Sequence, residues 1–131
     1  MGHKAIEAYE AAGKTTASSR QLEAAALFKA ARRLEAVRQD WDGAERAERL
    51  QGALLYNQQL WTFFQSELSL PDHEMLTELR VNLLRLSAFV DRRTFEIMAA
   101  RDPVPDTLQI LIDINRNVAA GLSEKPASGA A

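Results

Sequence analysis

The stretch "IDINRN", residues 112–117, sets Asp113, Asn115 and Arg116 inside an otherwise apolar pattern. Leu108, Leu111, Asn115, Val118 and Leu122 recur at steps of three and four, the spacing of one helix face. A carboxylate, an amide and a guanidinium so placed can polarise a substrate, recognise a charged partner, or join helices through a buried polar contact. Catalysis asks for more. There is no histidine, cysteine or paired carboxylate beside them to act as base or nucleophile. The chain has no cysteine, and its two histidines, His3 and His73, stand far apart. No glycine-rich phosphate loop, Walker pattern or calcium loop occurs. Catalytic residues, metal ligands and cofactors are therefore not expected.

Two other apolar stripes carry a similar break. Asn57 interrupts Leu50, Leu54, Trp61, Phe64 and Leu68, and Asp91 interrupts Leu84, Ala88, Phe95 and Met98. A buried amide or carboxylate that finds a partner fixes the register of packed helices, at some cost in stability. Asn57, Asp91, Asn115 and Arg116 are thus expected to be structural polar locks, with Arg116, Arg92 or Arg93 neutralising Asp91. On that reading Asn115→Leu keeps or raises thermal stability while loosening register or partner choice. Asp91→Ala destabilises by roughly 1–3 kcal/mol if the carboxylate holds a buried arginine.

The elements that must position these residues are helical throughout, since no segment sustains alternation at period two. A short helix is predicted over residues 3–12, ending at Gly13. "GKTTASS" reads as a loop, and Ser18 with Gln21 has capping-box spacing for a second helix running to about Asp40. "DWDG" separates that helix from a third, which begins near Ala44. Pro71 precedes a fourth helix, predicted over about 72–101 with Leu76, Leu79, Leu83, Leu86, Val90 and Ile97 as its first seam. The two prolines of "RDPVPD" stop it. Asp106 is expected to cap a fifth helix ending near Gly121. Short turns between amphipathic helices predict an all-α fold, an antiparallel bundle of four main helices plus the short N-terminal one. A single domain is expected over residues 1–122, with a disordered tail over 123–131.

Composition narrows the partners. The 131 residues are 47% hydrophobic and 26% charged, with a formal charge of -2, which offers no general attraction to nucleic acid or an anionic membrane. A local basic face of Lys29, Arg32 and Arg33 is the one place for RNA, set against a solvated helix face as the plainer reading. No apolar run approaches the ~20 residues that span a bilayer, and no signal-peptide core opens the chain. The expected location is the cytoplasm.

The third helix is apolar over more than half its circumference, because Tyr56, Leu60 and Phe63 run beside the seam that holds Trp61 and Phe64. Such a helix is either central in a bundle or docks a partner. The candidate partner-binding residues are Tyr56, Leu60, Trp61, Phe63 and Phe95, with Arg92 and Arg93 at a polar rim. A spare stripe of this kind also leaves self-association open.

Three ordered segments carry a resemblance: "NQQLWTFFQSEL" (57–68), "LRVNLLRLSAFVDRRTFEIM" (79–98) and "LIDINRNVAAGL" (111–122). With the opening "AYEAAGKTTASSRQLEAAALFKAARRLEAVRQDWD", they resemble the FlaF family of flagellar biosynthesis proteins of alphaproteobacteria. The resemblance implies a non-enzymatic cytoplasmic helper that binds flagellin as a secretion chaperone and supports its production. The alternative it leaves is a regulatory adaptor acting with FlbT in post-transcriptional control of flagellin synthesis.

Overall fold

The computed structural model describes residues 16–70 and 75–124. Four α-helices follow one another: α1 (Thr16–Gln39), α2 (Arg46–Leu68), α3 (Thr77–Ala99) and α4 (Gln109–Ser123), with a 3-10 turn, Pro105–Leu108, leading into α4. The fold is all-α, a helical bundle, as the periodicity predicts. The expected helix over 3–12 and the tail from residue 125 onward lie outside the described residues.

α1 is rich in alanine, the residue with the least to lose on entering a helix, and Arg38 in its last turn complements the partial negative charge there. Helix α1 starts at Thr16, so Ser18 lies within the helix and not at its cap. Its buried face, Ala24, Leu27, Ala30, Ala31, Leu34 and Val37, alternates small and branched side chains. α4 lies against that face more extensively than any other pair of helices meets, and contributes Leu111, Ile112, Ile114 and Ala119. Three alanines on α1 and Ala119 on α4 bring the backbones close, while the fully buried leucines each contribute ~1.5–3 kcal/mol.

The α1–α2 turn is tied from its far side. Arg49 donates to the carbonyls of Ala44 (3.0 Å) and Asp40 (2.9 Å), and the Arg46 guanidinium lies 4.6 Å from the centre of the Trp41 ring. Glu45, at the start of α2, has φ 58° and ψ 30°, a left-handed conformation that crowds any Cβ. Its side chain makes no capping bond. Glu45→Gly should therefore raise stability by about 0.5–1 kcal/mol, relief of strain outweighing the entropy lost by glycine. Chemical denaturation with an unchanged m-value would register the gain; a loss would show the turn unstrained.

α2 packs on α1 along one flank and on α3 along the other. α3 packs chiefly on α2, through Ser87, Val90, Thr94 and Ile97. It is shorter than the span predicted from Pro71, so Leu76 precedes the helix and is 78% exposed, and Leu79 is 47% exposed. Neither belongs to the core that the first seam assigned them to: Leu76 stands before the helix, and Leu79 lies in its first turn. Beyond α3, Asp106 sits inside the 3-10 turn and caps nothing with its side chain; Thr107 instead donates to the Val104 carbonyl at 2.7 Å. α4 ends at Ser123, two residues past Gly121 and close to the predicted end.

Candidate functional site

Asn57 on α2 and Asn115 on α4, 58 residues apart in sequence, meet at the centre of the bundle. Asn115 donates through Nδ2 to Oδ1 of Asn57 at 2.7 Å and accepts at its own Oδ1 from Trp61 Nε1 at 2.9 Å. All three side chains are essentially without solvent exposure. The chain of bonds joins α2 to α4 through side chains, whereas the close backbone contacts of α4 are with α1. Asn115 is the hinge of this ladder, since it alone has two partners; Nδ2 of Asn57 is buried and has none. Asn115→Leu would leave the Trp61 indole and the Asn57 carbonyl both unpaired, which reverses the expectation that leucine there keeps stability.

Asp91 does not join this ladder. It is half-buried on α3 and accepts from Gln65 Nε2 of α2 at 2.8 Å. Arg116 is not its counter-charge: it stands 3.8 Å from Glu35 of α1, which Arg38 also holds at 2.6 Å. The reason is topological, because α3 rests on α2 and α4 rests on α1, so the two residues face different neighbours. Neither does a nearby arginine take the role. Arg93 pairs with Glu96 at 3.5 Å and lies over the Phe89 ring, and Arg92 points to solvent. Asp91 therefore holds no buried arginine, and the condition attached to the loss on Asp91→Ala is not met. The hydrogen bond from Arg38 to Glu35 raises the Arg38 pKa further above its usual value. Asp113 is exposed and bonds to Gln109 one turn back, far from forming a carboxylate pair with Asp91.

The expected partner surface separates into three places. Trp61 is 1% exposed and sits edge-on to Phe64, with ring centres 5.7 Å apart. It is core, and cannot touch a partner of the folded chain. Tyr56, Leu60 and Phe63 are half-buried on the α2 flank that faces α1. Lys29 and Arg33 of α1 lie over the Tyr56 ring at 5.4 and 4.9 Å, so two of the three cations of the candidate RNA face cover an aromatic side chain. Phe95 alone among the named aromatics is open, at 71% exposure on α3, with Arg92 exposed beside it.

Around Phe95 lies an apolar stripe that the α2 aromatics overshadow in the sequence. Val81, Leu84, Ala88, Phe95 and Met98 follow the three-and-four spacing, with Asp91 between Ala88 and Phe95. Val81 and Met98 are 37% and 41% exposed, Ala88 is exposed and Leu84 half-buried. At about 100° per residue, Val81, Ala88 and Phe95 point well away from α2, and Leu84, Asp91 and Met98 flank the contact with it. Opposite that flank α2 presents Gln51, Gln58 and Gln65, one heptad apart. Between the start of α2 and the end of α3 lies an open cavity of about 360 Å³, lined in part by Leu50, Leu54, Gln51, Ile97, Met98 and Arg101. On the core side of α3 the Ser87 hydroxyl is buried without a partner. Ser87→Ala should therefore be neutral or stabilise by up to about 1 kcal/mol, a change readable in thermal unfolding. A clear loss would mean that the hydroxyl is bonded in solution.

Among the described residues no group of three histidines, cysteines, aspartates or glutamates could hold a metal ion, and no helix is long and apolar enough to cross a membrane. Among the described residues, what the arrangement offers is an uncovered apolar helix face on a bundle pinned by buried amides. The family model described as flagellar protein FlaF matches residues 5–122. This chain belongs to the FlaF family. No curated protein and no solved structure matches it. Within a FlaF protein, then, the segments "NQQLWTFFQSEL" and "LIDINRNVAAGL" supply the two ends of the amide ladder, and "LRVNLLRLSAFVDRRTFEIM" supplies the open stripe.

Proposed function

We propose that this FlaF-family chain binds flagellin in the cytoplasm as an export chaperone and so supports flagellin production. The observation that carries the reading is the outward stripe of α3, an apolar helix face with no neighbour among the described residues, in a chain of a flagellar family. The FlaF resemblance pairs the chain with flagellin, whose terminal segments are amphipathic helices and need covering before assembly. A helix face laid against such a segment buries both apolar sides and withholds them from aggregation. No covalent step is required, and the bundle behind the stripe holds its shape through the α1–α4 core and the Asn115 ladder.

Size-exclusion chromatography of the purified chain mixed with flagellin at micromolar concentration tests the reading. A co-eluting complex is expected. Separate elution of the two proteins would end the chaperone reading. Adding FlbT to the same mixture separates the adaptor role: FlbT recruitment only in the absence of flagellin would favour a regulatory adaptor over a chaperone.

A further inference from the structure

We propose that residues 3–12 fold back as a helix across the end of the bundle where α1 begins, laying Ile6 and Tyr9 over an apolar cleft at which all four helices meet. The proposal is independent of the chaperone reading and concerns how the chain closes its own core. Phe64 and Leu68 of α2, Leu83 of α3, Val118 and Leu122 of α4 and Glu23 of α1 line the cleft.

Position selects the occupant. The lining residues come from the beginnings of α1 and α3 and the ends of α2 and α4, so the cleft belongs to one end of the bundle. Leu22, Leu70, Leu76 and Leu79 are exposed at the same end, where apolar surface gathers beyond what the four helices cover. Thr16 precedes Glu23 by about 10 Å along the axis of α1, so the chain before α1 leaves it close to the cleft. Residues 13–15 span up to about 10 Å when extended, and Gly13 permits the reversal that folding back requires. A helix over 3–12 is about 15 Å long, enough to cross the end of a four-helix bundle.

The residue pattern suits that place. At about 100° per residue, Ala5, Ile6, Ala8, Tyr9 and Ala12 fall within one arc of about 160°, and His3, Lys4, Glu7, Glu10 and Lys14 take the other side. The alanines allow close approach, and Ile6 and Tyr9 are the two bulky apolar groups. The free space in the cleft, about 30 Å³, admits a side chain and no helix, so the segment lies across the mouth. Lysines and glutamates balance on the outward side, so burial and not charge drives the docking. The FlaF match begins at residue 5, so the pattern shared with that family includes this segment as well as the four helices. A tether of three residues holds the segment at an effective concentration on the order of millimolar, which favours it over the same segment of a second copy.

The test uses the full chain. Ile6→Asp with Tyr9→Asp should lower the melting temperature by at least about 5 °C, while Glu7→Gln with Glu10→Gln, on the opposite face, should move it by less than about 1 °C. Location is read by alkylation, since the chain has no cysteine of its own. With Leu122→Cys at the cleft, the Ile6→Asp and Tyr9→Asp pair should speed alkylation at position 122 on the order of 10-fold. With Ile110→Cys, about 18 Å away along α4, the same pair should leave the rate unchanged. An unchanged melting temperature for the aspartate pair, an unchanged rate at position 122, or equal acceleration at both positions would overturn the proposal. A dimer in sedimentation that the aspartate pair dissolves would also overturn it, by giving the cleft to the segment of a second copy. No readout involves flagellin, so the chaperone reading stands or falls separately.

Discussion

Asn115→Leu should lower the melting temperature by on the order of 10 °C, because two buried groups lose their only partner at ~1–3 kcal/mol each. The Trp61 indole N–H and the Asn57 carbonyl oxygen both end on Asn115, and neither has another bond. Leucine fills a similar space but cannot answer either. Asn57→Leu makes the sharper comparison. It leaves Asn115 Nδ2 without an acceptor, yet it also removes Asn57 Nδ2, which is buried and unpaired already. The two effects nearly cancel, so Asn57→Leu should fall within about 1 kcal/mol of the parent. Removing every polar atom of the ladder, through Trp61→Phe, Asn57→Leu and Asn115→Leu together, should recover most of the stability that Asn115→Leu loses, as apolar replacement of a complete buried polar set often does. Thermal unfolding of the three proteins checks the ordering. Equal losses for the two asparagine variants would mean that the ladder does not exist as drawn.

Trp61→Ala and Phe95→Ala should differ by more than any other pair of aromatic truncations in this chain. Trp61 is 1% exposed at the centre of the bundle, so its loss opens a cavity and strands Asn115 Oδ1, at ~3–5 kcal/mol. Phe95 is 71% exposed, and truncating it should leave stability within about 0.5 kcal/mol. Flagellin binding should show the opposite order once both proteins are compared below their melting transitions. Phe95→Ala folds normally and binds weakly, while Trp61→Ala, where still folded, keeps its α3 surface. Denaturant titrations beside a binding isotherm measure both halves. A large stability loss for Phe95→Ala would place α3 against a neighbour and remove the open stripe.

The contrast shows what could be read in the residues alone. Helix existence, the breaks at "DWDG" and "RDPVPD", and the burial of Asn57 and Asn115 in apolar seams all follow from local pattern. The pairing of Asp91 does not, because Arg116 and Gln65 are equally good partners until the neighbours of α3 and α4 are known. The surface is the instructive case. Both α2 and α3 carry two apolar stripes, and with Tyr56 and Phe63 beside Leu60 the α2 stripe is the bulkier. Which stripe is covered depends on how many helices stand beside it. Among the described residues α2 has α1 on one flank and α3 on the other, which bury its first stripe and half-bury its second, whereas α3 has one principal neighbour and leaves its second stripe open. Periodicity records that a face is apolar; only the arrangement of helices decides whether it is core. The heptad of Val81, Leu84, Ala88, Phe95 and Met98, edged by Arg85 and Arg92, was the available signal.

The absence of cysteine from the 131 residues permits a direct measurement of where a partner lies. Single cysteines introduced as Ala88→Cys, within the α3 stripe, and Lys29→Cys, over the α2 aromatic flank, can be alkylated with and without flagellin. Alkylation at position 88 should slow on the order of 10-fold when flagellin is bound while position 29 keeps its rate, as burial beneath a helix excludes the reagent. Protection at position 29 with none at position 88 would contradict the account and return the contact to the Tyr56, Leu60 and Phe63 face.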